Sequence, residues 1–161
     1  MIYRKATFAD VEAIYELVAD YAKQGVMLAR SRNTLYETLR DMVVAIDDDG
    51  KLAGVGGLHV IWDRLAEVRT MAVSPDKRRH GIGAEIVRHL LKDGEQLGIE
   101  KYFTLTYQPD FFKSLGFVVI NKEELPHKVW KECIDCPKVP NCDEIAMVKV
   151  EFEHCYVIME E

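Results

Sequence analysis

Hydrophobic positions along the chain follow two periods, that of an amphipathic helix and that of a half-buried strand. After Thr7, which forms a capping-box pattern with Asp10, the helical period predicts a first helix that ends near Gln24, where Gly25 follows. The buried face of this helix is predicted to carry Val11, Ile14, Val18 and Tyr21.

Further helices are predicted over 83–97 and 111–115, and a second, short helix is indicated by Leu35, Leu39 and Met42. Strands interleave with these helices, and a loop rich in proline and cysteine spans about 121–143. This order predicts an α/β fold in a single domain, 1–161, with a mixed sheet and helices on both of its faces. The predicted strands cover 2–6, 43–47, 52–61, 67–73, 102–106, 117–120 and 146–152.

Composition and charge exclude several classes of protein. The 161 residues are 48% hydrophobic and 30% charged, which is typical of one globular domain. The formal net charge of -6, without a basic stripe, argues against nucleic acid as a partner. No apolar run approaches the roughly 18–20 residues that a membrane span needs, and the charged N-terminal segment lacks the apolar core of a signal peptide. We therefore expect a cytoplasmic protein that does not bind membranes.

One turn has the features of an anion site. The predicted strand 67–73 is followed by a turn over 78–83, which contains two arginines and two glycines and leads into a helix. Glycine lets the backbone approach a ligand closely, and the first turn of a helix offers unpaired N–H groups and a partial positive charge. The spacing is that of neither a Rossmann fingerprint nor a P-loop. The sequence predicts a pyrophosphate cradle here; the alternative is that the glycines only shape a tight turn.

The segment around this turn resembles the signature of the GNAT acetyltransferases, R/Q-x-x-G-x-G/A after a strand that ends in an apolar-Ala-Val step. The second landmark, an aromatic pair followed by Gly-Phe, is present as FFKSLGF. The resemblance implies the GNAT fold, whose mostly antiparallel sheet is splayed at the cofactor cleft, and acetyl-CoA as co-substrate. The residues it assigns to the cofactor are Met71, Ala72, Val73, Arg78, Arg79, His80, Gly81, Ile82, Gly83 and Phe112.

Within that superfamily the chain resembles the short N-acetylglutamate synthases, which lack an amino-acid-kinase domain. The segments that carry this resemblance are GVMLARSRNTLYE, LAEVRTMAV, FTLTYQPDFFKSLGF and ELPHKVWKECIDCPKVPNCDEIAM. It implies transfer of an acetyl group to the α-amine of L-glutamate, the first step of arginine synthesis in that family. The alternatives are another small amine or a protein N-terminus as acceptor, a CoA-binding sensor without turnover, and a metal-dependent interaction protein.

Acetyl transfer to an amine needs a base, because a protonated amine cannot attack a thioester. Glu67 matches the strand glutamate that acts as base in several family members, and strand alternation would place it on one face with Arg69 and Met71. The alternative is an ordinary ion pair of Glu67 with a neighbouring arginine. The resemblance assigns the oxyanion contact to the backbone N–H of Met71. It gives the acid role to Thr106, with Tyr107 as the competing donor, because phenylalanines occupy the short helix where many relatives have a tyrosine.

Free glutamate carries two carboxylates, which arginine forks bind well. Arg30, in the predicted loop between the first two helices, resembles the carboxylate-binding arginine of the branch, and Arg69 would join it if it shares a face with Glu67. The further C-terminal arginine of the kinase-fused enzymes is missing here, and Lys128 is the proposed replacement. The expected partner is therefore a small amino acid, and a homodimer is left open.

The proline-rich loop contains three cysteines in the pattern C-x-x-C-x-x-x-x-x-C. The C-x-x-C spacing suits Zn²⁺, which would need a fourth ligand. The alternative is a set of reduced cysteines that pack the loop, or a redox-labile pair. We expect no metal in the site and keep Zn²⁺ as the alternative. The cysteines are Cys133, Cys136 and Cys142, and the candidates for a fourth ligand are Cys155, His127 and His154.

Overall fold

The computed structural model describes residues 1–125 and 144–150, which form four helices and seven strands. The strands are β1 Ile2–Lys5, β2 Met42–Ile46, β3 Leu52–Trp62, β4 Leu65–Val73, β5 Lys101–Thr106, β6 Val118–Val119 and β7 Ile145–Val150. The helices are α1 Val11–Lys23, α2 Arg32–Glu37, α3 Ile82–Leu97 and α4 Pro109–Ser114. No helix within the described ranges is long and apolar enough to cross a membrane.

The predicted second helix was wrong at its end. Helix α2 stops at Glu37, a short 3-10 turn covers Leu39–Asp41, and Met42 already belongs to β2. Met42 and Leu35 are buried in the same hydrophobic core. Their apolar spacing therefore arises because both face this core, and not because they belong to one continuous helix.

The strands form a mixed sheet in the order β1-β2-β3-β4-β5-β7-β6. The pairs β1–β2, β2–β3, β5–β7 and β6–β7 are antiparallel, whereas β4 and β5 are parallel. This confirms the expected mixed, mostly antiparallel sheet. The described chain divides into two compact units, one of Met1–His59 with Val68–Gln96, the other of Val60–Glu67 with the described residues from Leu97 onward. Strands β3 and β4 therefore run through both units.

In the first unit, α1 and α2 pack on the sheet, and the predicted capping box forms at the N-terminal end of α1 as part of a 3-10 turn, Phe8–Asp10. The Asp10 carboxylate accepts hydrogen bonds from the Thr7 N–H at 2.7 Å and from two nitrogens of Arg4 at 2.8 and 3.0 Å. Arg4 first, and Thr7 in addition, hold the pKa of Asp10 below its usual value. The core of this unit contains Val11, Ile14, Val18, Tyr21, Leu35, Met42, Val44, Val55 and Ala72.

The second unit has its own apolar core on the β4, β5 and β7 strands. Leu65 of β4 and Phe103 of β5 form its centre with residues of β7 and the loop after β6. This core contains Leu65, Phe103, Leu125, Ala146 and Val148.

Helix α3 lies very close to β3, because β3 has glycines where the helix crosses it. A Cβ atom at Gly54 would lie 3.0 Å from Ile86 Cδ1, and one at Gly56 would lie 2.6 Å from Ile86 Cγ2 and closer still to Met71 Sδ. Side chains at these positions would hold the helix away from the strand. The two glycines therefore set the distance of α3 from the sheet.

We predict that Gly56→Ala lowers the free energy of unfolding by about 1–3 kcal/mol, because the added methyl group overpacks the contact with Ile86. The matched control is Gly57→Ala on the next residue, where a Cβ would lie no closer than 3.4 Å to its nearest neighbour, the Arg69 carbonyl oxygen. This control should show no loss. Denaturant unfolding measures both, and equal stability of the two variants would contradict the close-packing argument.

Candidate functional site

The predicted anion turn joins β4 to α3 and has an unusual backbone. Arg79 has a φ of 66° and Gly81 a φ of 76°, whereas Arg78 before them has a φ of −63°. His80 lies between the two positive angles and is not itself left-handed. Arg78 is extended, with a ψ of 153°, and an extended residue followed by a positive φ is the pattern of a type II turn. The first N–H groups of α3, which have no partner within the helix, directly follow this turn.

The side chains of this segment divide into two groups. Arg78, Arg79 and His80 are exposed, so their charges and ring can reach a ligand. Ile82 and Ala72 are buried, with exposed fractions of 3% and 5%. These two can contribute to a cofactor site only through their backbone groups.

One buried tyrosine connects this segment to helix α1. The Tyr21 hydroxyl donates to the Val73 carbonyl oxygen at 2.6 Å and accepts from Arg78 Nε at 3.0 Å. The sequence pattern had placed Tyr21 only in the apolar face of the helix. Its hydroxyl was the available signal, because a buried tyrosine needs a hydrogen-bond partner.

Strand β4 is not regular over its whole length. Thr70 has a φ of 58°, a left-handed conformation that is an outlier for a β-branched residue. Strain of this kind costs about 1–3 kcal/mol and concentrates at functional sites. The predicted alternation from Glu67 to Met71 is therefore interrupted at Thr70, so a shared face of Met71 with Glu67 and Arg69 does not follow from strand periodicity alone.

Glu67 and Thr106 lie on neighbouring strands of the second unit. The parallel pairing of β4 with β5 joins 65–67 to 101–103, and its last pair is Glu67 with Phe103. Side-by-side residues share a face, whereas Thr106, three positions beyond Phe103, points to the opposite one. Thr106 is buried, and its Oγ1 accepts a hydrogen bond from the Gln108 N–H at 2.8 Å. Tyr107 follows it, half-buried, before α4 begins.

Phe112 is a core residue of the second unit. Its ring makes edge contacts with Phe111 and Phe117, with ring centroids 5.0 and 5.2 Å apart, and only 3% of the residue is exposed. A ring this buried has little surface to offer a ligand. Its assignment to the cofactor stays a prediction, and the aromatic pair of the second landmark serves packing.

The loop before α2 carries the predicted carboxylate-binding residue Arg30, which is half-buried. Ser31 caps α2 by accepting a hydrogen bond from the Thr34 N–H at 3.1 Å. Arg32 is held by Glu12 of α1, with Nε 2.7 Å from the carboxylate, and its guanidinium lies 4.0 Å from the centre of the Tyr15 ring. Arg32 therefore anchors α2 to α1 and lowers the pKa of Glu12.

The sequence reasoning also missed a histidine–carboxylate pair. His59 Nδ1 lies 2.6 Å from Asp41 Oδ2, and both side chains are about three-tenths exposed, at 29% and 28%. A neutral imidazole that donates to this carboxylate through Nδ1 keeps Nε2 as its acceptor nitrogen. The partners are 18 residues apart and come from different elements, so no local motif could have found them.

Some predicted residues lie outside the described ranges. These are Lys128, the cysteines Cys133, Cys136 and Cys142, and the candidates for a fourth ligand, His127, His154 and Cys155. Among residues 1–125 and 144–150, no three His, Cys, Asp or Glu side chains are grouped to hold a metal ion.

The glycine turn and the mixed sheet agree with the family whose sequence pattern matches residues 11–117, the acetyltransferase (GNAT) family. The chain belongs to this family, and it is an acetyltransferase with the GNAT fold. The expected family and fold are thereby confirmed.

Several relatives resemble the chain over most of its length. It is 40% identical over 146 residues to an uncharacterized N-acetyltransferase of Chlorobaculum tepidum, covering 91% of this chain and 94% of that one. It is 39% identical to an amino-acid acetyltransferase of Mycobacterium tuberculosis, covering 81% and 76%. The structure of Rv2747 from Mycobacterium tuberculosis in complex with CoA and NLQ is similar with a TM-score of 0.82 at 34% identity, covering 93% and 99%. CoA-bound neighbours of this kind support acetyl-CoA as the co-substrate.

We predict that Gly83→Asp weakens CoA binding by at least about a hundredfold, because its charge would repel the pyrophosphate at close range. An acidic residue in the first turn of α3 favours the helix, so the variant should still fold. The matched control is Gly83→Asn, which has nearly the same size without the charge and should lose much less affinity. Calorimetry with CoA measures both, and wild-type affinity in a folded Gly83→Asp protein would contradict the anion site.

Proposed function

We propose that the protein transfers the acetyl group of acetyl-CoA to the α-amine of L-glutamate, as the first step of arginine synthesis. The observation that carries the transferase part is the glycine turn at 78–81, which begins with Arg78 and leads into the first turn of α3. The amino-acid part is supported by the Mycobacterium tuberculosis relative, which is named an amino-acid acetyltransferase. Glutamate in particular is supported by arginine at position 30 of the acceptor loop.

The proposed reaction needs one proton acceptor and one oxyanion donor. Glu67 takes the proton of the ammonium group, and the free amine nitrogen then attacks the thioester carbon. The tetrahedral oxyanion is bound by the backbone N–H of Met71, which follows the left-handed Thr70. The nitrogen of the tetrahedral intermediate still carries one proton too many. As the C–S bond breaks, this proton is released to solvent and the thiolate takes one up, so that amide and thiol are both neutral.

Thr106 is the proposed donor to that thiolate, with Tyr107 as the competing group. The Gln108 N–H already binds Thr106 Oγ1, which fixes the oxygen and leaves its own proton for donation.

Two arginines are the proposed ligands of the glutamate carboxylates. Arg30 would bind one and Arg69 the other, with Lys128 as an additional candidate. A planar guanidinium can hold a carboxylate with two parallel hydrogen bonds, which an ammonium cannot do. Arg32 pairs with Glu12 in the structure and serves as the comparison for Arg30.

We predict that Glu67→Gln lowers kcat by about 10²–10⁴ at neutral pH, because the amide cannot accept the proton. The affinity for acetyl-CoA should stay nearly unchanged. Activity should partly recover at high pH, where more of the amine is already deprotonated. Thiol release measures kcat, and Glu100→Gln, a surface carboxylate of the same unit, is the control. A kcat like that of the wild type would remove Glu67 from the mechanism.

We predict that Arg30→Ala raises KM for glutamate by about 10–150-fold and leaves KM for acetyl-CoA unchanged, because charge-assisted hydrogen bonds of about 1.5–3 kcal/mol are lost. Arg30→Lys should restore only part of this. The control is Arg32→Ala, two residues further on at the start of α2, which should change KM for glutamate much less.

The acceptor itself is tested by thiol release with glutamate, glutamine, spermidine and a peptide. Glutamate should be the best acceptor, since glutamine lacks the second charge and spermidine brings cations to arginines. If spermidine or the peptide reacted faster, glutamate would be the wrong substrate, although the acetyltransferase assignment would stand. Binding of CoA without thiol release for any acceptor would instead indicate a sensor.

A further inference from the structure

We propose that Tyr21 is a positioning residue for the coenzyme, which holds the Arg78 guanidinium in the orientation that binds the CoA pyrophosphate. The inference rests on the proposed function, because it takes the turn at 78–83 as the coenzyme site. Tyr21 itself would not touch the coenzyme, and it would act only through Arg78 and the end of β4.

The geometry gives the Tyr21 hydroxyl two partners in the coenzyme segment. Its single proton is used at the Val73 carbonyl oxygen, 2.6 Å away, so the oxygen is left to accept from Arg78 Nε at 3.0 Å. The Arg78 guanidinium carbon lies 5.1 Å from the centre of the same ring. One phenol therefore fixes both the last residue of β4 and the first arginine of the turn.

The choice of nitrogen matters for the ligand. The bond to Tyr21 uses Nε, so it consumes neither of the two Nη groups, which form the outer end of the fork. An exposed arginine loses rotamer freedom when it binds an anion. Because Nε is already held, Arg78 has less freedom left to lose.

The position of Tyr21 also argues for a role of the hydroxyl. Only 5% of Tyr21 is exposed, and its ring belongs to the apolar core between α1 and the sheet. Phenylalanine would fill that space equally well. The hydroxyl adds only the two hydrogen bonds, and both go to the segment that the family resemblance assigns to CoA.

The first test is Tyr21→Phe, which keeps the ring and removes the hydroxyl. Calorimetry should show CoA bound about three- to tenfold more weakly, as expected when one arginine side chain has to be ordered on binding. The matched control is Tyr15→Phe, which removes a hydroxyl from the same helix away from the turn and should leave CoA affinity unchanged. Unchanged affinity in Tyr21→Phe, beside weakened binding in Arg78→Ala, would overturn this inference alone. Unchanged affinity in Arg78→Ala would mean that the coenzyme site itself is wrongly assigned.

The second test separates positioning from a general structural role. S-acetylpantetheine carries the reactive thioester but no pyrophosphate, so Tyr21→Phe should leave its kcat/KM unchanged while lowering that of acetyl-CoA. In an Arg78→Ala background, Tyr21→Phe should cause no additional loss of CoA affinity, because the group that it positions is gone. Equal losses with both donors, or additive losses in the double variant, would show that Tyr21 only supports the fold.

Discussion

The position of helix α3 depends on its close contact with β3 at Gly54 and Gly56. A helix can approach a sheet this closely only where the sheet lacks side chains, and Ile86 fills the space that two Cβ atoms would otherwise occupy. The contact determines where the N-terminus of α3 lies relative to the end of β4. The turn at 78–83 must span that fixed gap, and it does so with two left-handed residues. The backbone of this turn, the proposed anion site, is therefore a consequence of helix packing as much as of the residues in the turn.

Much of the fold and of the coenzyme segment could be predicted because the signals are local. The capping pair Thr7 and Asp10, the end of α1 at Gly25, and the glycine turn before α3 all follow from short-range geometry, and the structure contains each of them. The apolar periods also placed the strands to within a few residues. They failed at Met42. The helical spacing of apolar residues in α2 continues to this residue, although it already belongs to strand β2.

The remaining features could not be read from the sequence because they depend on contacts distant in the chain. Nothing around Thr70 signals a left-handed residue, since threonine is an ordinary strand former. Tyr21 and Arg78 are 57 residues apart, and Asp41 and His59 are 18 apart. The helical period predicts that Tyr21 lies in the core, but it does not predict the hydrogen-bond partners of the hydroxyl.

Helix α1 carries contacts to both segments that are assigned to ligands. Near its N-terminal end Glu12 holds Arg32 beside the loop that contains Arg30, and near its C-terminal end Tyr21 holds Arg78. The two residues are nine positions apart, about 13 Å along a rigid rod. Helix α1 thus contacts both the loop expected to bind the amino acid and the turn expected to bind the coenzyme. If binding of either ligand moves α1 and so alters the other site, the affinity for the other ligand changes. Because linkage is reciprocal, each ligand then changes the affinity for the other by the same factor.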